Sequence, residues 1–200
     1  MRYCVYIDGF NVYYALRGSF PHYKWLNYRK LAASQIGGRD TLESVVYFTS
    51  LVAWRPDSVR RHKVYIRALR SARVDIVQGR FTRKNATCHH CHRAYLTHEE
   101  KRTDVNIALR VVEDAVCDRF DRALIVSADS DLVPVIDTVH RIAPDKEIGI
   151  MLPIGRSGYD LKRAADFTRR MKERLLRTCQ FPETICVGSG RITRPAQWAR

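Results

Sequence analysis

Short continuous apolar runs alternate along the chain with longer stretches in which apolar positions recur at helical spacing, and this alternation sets the fold class. Arg2 to Ile7 is a β-branched and aromatic run that stops at Asp8-Gly9, the pattern of a strand meeting a tight turn. A helix is expected over Asn11 to Leu16, and another over Trp25 to Ile36, closed by Gly37-Gly38 where glycine suits a C-terminal cap. Glu43 to Val52 reads as the second strand and Val74 to Val77 as the third. Between them, Ser58 to Leu69 carries Val59, Tyr65, Ile66 and Leu69 at helical spacing under basic decoration.

Thr103 to Val116 repeats the helical spacing with Val105, Ala108, Leu109 and Val112, and Thr103 is the expected N-cap. Ala123-Leu124-Ile125-Val126 is the kind of strand that helices bury on both faces. Leu132 to Ile142 predicts a helix that tolerates Pro134 in its first turn, Glu147 to Leu152 a fifth strand, and Leu161 to Arg177 a mostly helical, basic segment. From about Phe181, with Pro182, Gly188, Gly190 and Pro195, the chain reads as an irregular C-terminal arm. The expected fold is α/β: an open, mainly parallel sheet flanked by helices, with one domain over 1–180 and an arm over 181–200.

Composition adds a partner to this picture. The 200 residues include 35 Lys and Arg against 21 Asp and Glu, a formal charge of +14, which favours a polyanion such as nucleic acid. Between Arg55 and Arg93 there are eleven Lys or Arg and two Asp, and Arg60, Arg61 and Lys63 are the expected phosphate contacts. Trp54, Tyr65, Phe81 and Tyr95 lie in the same stretch, either as core residues or as surfaces on which bases stack. Arg156, after the fifth strand, is a further phosphate candidate. No apolar run approaches the ~20 residues that span a bilayer, and the opening segment is too short in its apolar part and soon acidic for a signal peptide. A cytoplasmic protein without a membrane partner is the expectation, with a homodimer left open.

Ligands and catalysts gather beyond the carboxyl ends of the strands of an open parallel sheet. Asp8 follows the first strand, Asp129 and Asp131 follow the Ala123 to Val126 strand, and Asp104 opens a helix on the same side. Four carboxylates placed together repel unless a cation compensates, and hard oxygen ligands select Mg²⁺ or Mn²⁺. Such an ion activates water and stabilises a cleaved phosphate, so the pattern predicts a nuclease. Asn11, one helical turn from Asp8, would orient a carboxylate, water or phosphate, or else serve the helix start. Asp131 alone also suits an N-cap, and Ser127 and Ser130 suit the turn.

Three segments carry a resemblance. Tyr6-Ile7-Asp8-Gly9-Phe10-Asn11, His98-Glu99-Glu100-Lys101-Arg102-Thr103-Asp104-Val105-Asn106-Ile107-Ala108 and Val126-Ser127-Ala128-Asp129-Ser130-Asp131-Leu132 stand in the order seen in the NYN domain. Together with Leu161 to Phe167 and Arg194 to Trp198, they make the chain resemble the LabA-like branch of the PIN-like nuclease superfamily. The resemblance implies a PIN-like fold and a divalent-metal ribonuclease acting on RNA, with single-stranded DNA a further candidate. It also implies that Asp8, Asp104, Asp129 and Asp131 take the acidic positions and Asn11 the accompanying asparagine. Asp166 matches another recurrent acid of the branch, or pairs within a basic helix. Two rivals stand beside it: a nucleic-acid-binding module that keeps the fold without cleaving, and a haloacid-dehalogenase-type phosphatase, which would want an Asp where Phe10 stands.

Cys88, His89, His90, Cys91 and His92, followed by His98, concentrate zinc-ligand chemistry, but only one Cys-x2-Cys half of a zinc ribbon is present. The second half must come from His90, His92, His98 or a partner chain. Similar LabA-like sequences place a histidine after the cysteine pair, which implies Cys88, Cys91 and His98 as ligands of a structural Zn²⁺ in a loop over 85–98. The remaining cysteines read as buried or incidental thiols.

Overall fold

The computed structural model describes residues 1–87 and 89–198. In chain order the elements are β1 (Arg2–Asp8), α1 (Gly9–Arg17), α2 (Tyr28–Ala33), β2 (Thr41–Thr49), α3 (Pro56–Ser71), β3 (Asp75–Gln78), β4 (Arg80–Thr87), β5 (Ala94–Lys101) and α4 (Thr103–Val116). There follow β6 (Arg122–Val126), α5 (Val133–Ile142), β7 (Glu147–Leu152), α6 (Tyr159–Ala164), β8 (Phe167–Arg170), α7 (Glu173–Thr178), β9 (Thr184–Val187) and β10 (Gly190–Thr193).

Six strands form one sheet in the order β3-β2-β1-β6-β7-β8, and every neighbouring pair is parallel. The α/β class is therefore as expected. Strand period explains the two layers, since successive side chains leave opposite faces. Val5, Ile7, Val45, Tyr47, Leu124 and Val126 point to one face, where they meet Val12, Leu16, Trp25, Leu31 and Leu69 from the first three helices and their flanks. Cys4, Tyr6, Val46, Phe48, Ala123 and Ile125 point to the other, against Ile107, Val111, Ile136 and Val139 of α4 and α5. Among the described residues no helix is long and apolar enough to cross a membrane.

Several boundaries differ from the sequence reading, each for a local reason. The second helix starts at Tyr28 because the Asn27 side chain accepts the Lys30 amide, while Trp25 turns inward and its Nε1 donates to the Pro182 carbonyl at 2.8 Å. Thr103 is not the cap of α4: Arg102 holds that position with φ 83, and the Thr103 hydroxyl instead donates to Glu100. The basic segment after Leu161 is broken. Asp166 accepts the Ile148 amide at 2.7 Å, and Phe167 to Arg170 add a sixth strand beside β7. Gly149 makes this pairing feasible, because a Cβ there would stand 2.1 Å from the Phe167 ring.

The polar segment before α4 is a hairpin rather than a loop, with Arg80 opposite Lys101 and Thr87 opposite Ala94. Within the C-terminal arm, β9 and β10 form a second hairpin. Trp198, at its end, packs against Trp25 and Tyr65 with ring centroids 6.2 and 5.5 Å away, which ties the arm to the α1–α3 side.

Candidate active site

The strand order reverses between β1 and β6, and this is the switch point where a crevice opens at the carboxyl edge of a parallel sheet. Asp8 closes β1 at that edge and is buried. It caps α1: one carboxylate oxygen accepts the Asn11 amide at 3.0 Å, and the other accepts the Ser127 hydroxyl at 2.8 Å. Gly9 is required next to it, since a Cβ would lie 2.5 Å from the Phe48 carbonyl oxygen. The β6 loop is tied to the same point. Asn11 Oδ1 accepts the Ala128 amide at 3.2 Å, the Ser127 oxygen accepts the Asp129 amide at 3.1 Å, and Asp129 accepts the Asp131 amide at 3.1 Å. One chain of hydrogen bonds thus runs from Asp8 through Ser127 to Asp129 and Asp131. Asp129, not Asp131, is the capping residue of the short 3₁₀ turn over Ser130–Leu132 that leads into α5.

Asp104 faces this cluster from the first turn of α4. Its carboxyl is pushed up to about 6, first by burial and then by repulsion from Asp8, Asp129, Glu100 and Asp131. Burial also raises Asp8, against the opposing effect of the hydrogen bonds from Asn11 and Ser127. Asp8 and Asp104, from two chain segments, are thus both raised in part by the charge of Asp129 from a third. Glu100 is a further carboxylate that sequence reasoning passed over, although it lies inside the Glu99-Glu100-Lys101 motif. It accepts hydrogen bonds from Ser50 at 2.9 Å and from Thr103, which anchors the β5–α4 junction beside the site.

Among the described residues no three Asp, Glu, His or Cys side chains close on one point in the manner of a metal cage. The donor set nevertheless suits a hard divalent cation. Mg²⁺ keeps several waters and is commonly held by one or two carboxylates together with substrate phosphates, so an open acidic crevice fits it.

The other candidate residues disperse. Arg60 pairs with Asp57 on the outside of α3, and Lys63 is exposed there, whereas Arg61 lines a cleft of about 430 Å³ between α1, α3 and the β4–β5 hairpin. Trp54 and Phe81 line the same cleft. Tyr65, at 5% exposure, belongs to the core, and Tyr95 is exposed on β5. Arg156 is exposed in the turn after β7, where its amide donates to the Pro153 carbonyl at 3.0 Å. Asp166 lies at the opposite, amino edge of the sheet and pairs with His140 at 2.9 Å, so the acidic position implied by the resemblance is a structural tie here.

Cys88 lies outside the described residues. His98 stands in register with Arg83, four residues along the strand from the Thr87–Ala94 end of the hairpin, and its ring lies face to face with Trp54 at 3.5 Å. At ~3.4 Å per residue this sets it about 14 Å along the hairpin from the Thr87–Ala94 pair, while Cys91 lies in the turn beyond that pair.

The chain is similar to 6-hydroxy-3-succinoylpyridine 3-monooxygenase HspA of Pseudomonas putida (strain DSM 28022 / S16), with 28% identity over 238 residues, 99% of this chain and 75% of that protein. Its fold resembles the crystal structure of a protein of unknown function from Vibrio parahaemolyticus RIMD 2210633. The TM-score is 0.62 at 16% identity, over 86% of this chain and 93% of that one. Residues 2–171 match the NYN domain, a fold of the PIN-like nuclease superfamily, and the chain belongs to that family.

Proposed function

We propose that the chain is a divalent-metal-dependent ribonuclease that hydrolyses RNA phosphodiesters at the crevice between β1 and β6. The observation that carries this reading is the hydrogen-bonded line from Asp8 through Ser127 to Asp129 and Asp131, faced by Asp104 at the switch point of the sheet. Carboxylates of the set Asp8, Asp104, Asp129 and Asp131, together with water and substrate phosphate, would hold Mg²⁺ or Mn²⁺, which when bound lowers the pKa of water and neutralises the attacked phosphate. Asp8 is oriented by its two hydrogen-bond donors and keeps lone pairs free on both oxygens. Asn11 holds the β6 loop through the Ala128 amide, and its side-chain amide group remains available to a phosphate or water. A zinc site at the β4–β5 tip would draw on the cysteine pair and the turn histidines rather than on His98.

The test is incubation of the purified chain with end-labelled single-stranded and structured RNA and DNA, in Mg²⁺, in Mn²⁺ and in excess chelator. Cleavage of RNA that requires the metal supports the reading. Binding without cleavage in any metal would move the non-cleaving nucleic-acid module to the front.

A second reading has one observation in its favour. The relative that spans nearly this whole chain is named for oxygenation of a hydroxypyridine acid, and the aromatic and cationic cleft is of a size for such a molecule. Hydroxylation would consume dioxygen and two electrons from an external reductant. Reductant-dependent oxygen uptake with aromatic carboxylates, in an oxygen electrode, separates it from the nuclease reading.

A further inference from the structure

The cleft of about 430 Å³ is lined by Gly9 and Phe10, the two residues that follow Asp8 in the chain. Its size is within the range of small-ligand sites, ~300–1,000 Å³. Two properties of its lining point to one kind of occupant. The first is flat apolar surface left in solvent: Trp54 is 38% exposed, Tyr13 41% and Tyr14 51%. Trp54 and Phe81 meet edge to face at 4.9 Å, and Phe81 meets Phe10 at 5.7 Å, so the rings form a continuous wall rather than scattered side chains. His98 covers one face of Trp54, and what remains of that ring in solvent, together with Tyr13 and Tyr14, is the apolar surface open to an occupant.

The second property is uncompensated positive charge. Arg17, Lys24, Arg55 and Arg61 line the cleft, and no Asp or Glu does. None of these four makes an ion pair among the described residues. Lys24 is driven downward first by burial and then by the charges of Arg17 and Arg61, and its Nζ stands over the Tyr13 ring, 5.2 Å from the centroid. Phosphate alone would explain the cations and a neutral ring would explain the aromatics. A nucleotide explains both, because it joins a flat π face to an anion.

We infer that this cleft is a nucleotide subsite, which takes one unstacked base of a single strand against its aromatic wall and the attached phosphate on Arg17, Lys24 and Arg61. The choice of an RNA strand rests on the ribonuclease reading. The stacking surface and the cation cluster do not. Through Gly9 and Phe10 the subsite places the strand next to Asp8, so a base held here sets which neighbouring phosphodiester lies over the acids.

The experiment uses the full chain in excess chelator, where no metal-dependent cleavage occurs, with a short single-stranded oligoribonucleotide carrying one 2-aminopurine. Wild-type protein is expected to quench the 2-aminopurine on binding. Trp54→Ala and Arg61→Ala are each expected to weaken binding roughly tenfold, and Trp54→Phe to recover most of it. Uridine 5′-monophosphate should bind more tightly than either uridine or inorganic phosphate. Unchanged affinity and quenching in Trp54→Ala would overturn the subsite, and so would a cleft that binds benzoate but no nucleotide. Cleavage in Mg²⁺ distinguishes the two claims. An active enzyme with the KM of Trp54→Ala unchanged overturns the subsite alone, whereas quenching by a wild-type protein that never cleaves supports the subsite and removes the nuclease reading.

Discussion

Asp8 meets two demands at once, because it caps α1 and presents a buried carboxylate to the crevice. Ser127 supports both, donating to Asp8 and accepting the Asp129 amide. Ser127→Ala removes both bonds and should lower unfolding free energy by about 1–3 kcal/mol, read from denaturant titration, while reducing turnover more than RNA affinity. A variant with wild-type stability and turnover would show that the hydrogen-bonded line is not needed. His62 makes a different residue-scale prediction. Burial lowers its imidazole from the ordinary 6.5 to about 4, and its Nε2 shares a hydrogen bond with Thr49 at 3.1 Å. The folded chain therefore keeps His62 neutral in a window where the unfolded chain binds a proton. Its contribution to stability is present above about pH 6.5 and is lost as pH falls towards about 4. Unfolding measured across that window should show a shallower acid loss in His62→Gln than in wild type, and equal slopes would contradict the burial argument.

At the scale of elements, α3 shows how helical geometry sorts neighbours. Arg60 and Arg61 are adjacent in sequence, yet one pairs with Asp57 in solvent and the other lines the cleft. Arg60→Ala should leave RNA affinity within about twofold, since exposed pairs contribute little, while Arg61→Ala weakens it and flattens its salt dependence by about 0.7 per lost contact. Equal effects would return the basic stretch to a diffuse patch. The central strands were legible because Ala123 to Val126 and Glu147 to Leu152 are apolar runs with helices on either side, and Asp8 and Asp129 were legible because they follow such runs. The β4–β5 hairpin was not, since its polar strands lack a buried face to enforce alternation. Nor was β8, whose pairing depends on the space Gly149 leaves for Phe167, a fact of three dimensions. Register makes a prediction of its own. Any zinc carried by the hairpin tip should survive His98→Ala, and metal analysis showing zinc lost in that variant would contradict the register.

Across the whole molecule the charges divide their tasks. A net +14 draws a polyanion from any direction, the cleft between α1 and α3 holds cations that no acid lines, and Asp8, Asp129 and Asp131 share one hydrogen-bonded line at the carboxyl edge of β1 and β6. The parallel sheet is what brings residues 8, 104, 129 and 131 to one edge, and the aromatic wall likewise gathers residues too distant in sequence for any motif to show. Binding and cleavage should therefore fail separately. The most direct measurement of the central claim compares wild type with Asp129→Asn, which keeps size and hydrogen-bonding capacity but removes one charge from the crevice. Single-turnover cleavage of labelled RNA in Mg²⁺ or Mn²⁺ is read beside equilibrium binding in chelator. The account predicts that the variant loses most cleavage, by a factor of roughly a hundred or more, while binding RNA at least as tightly as wild type. Turnover unchanged in Asp129→Asn, or full wild-type activity in excess chelator, would contradict it.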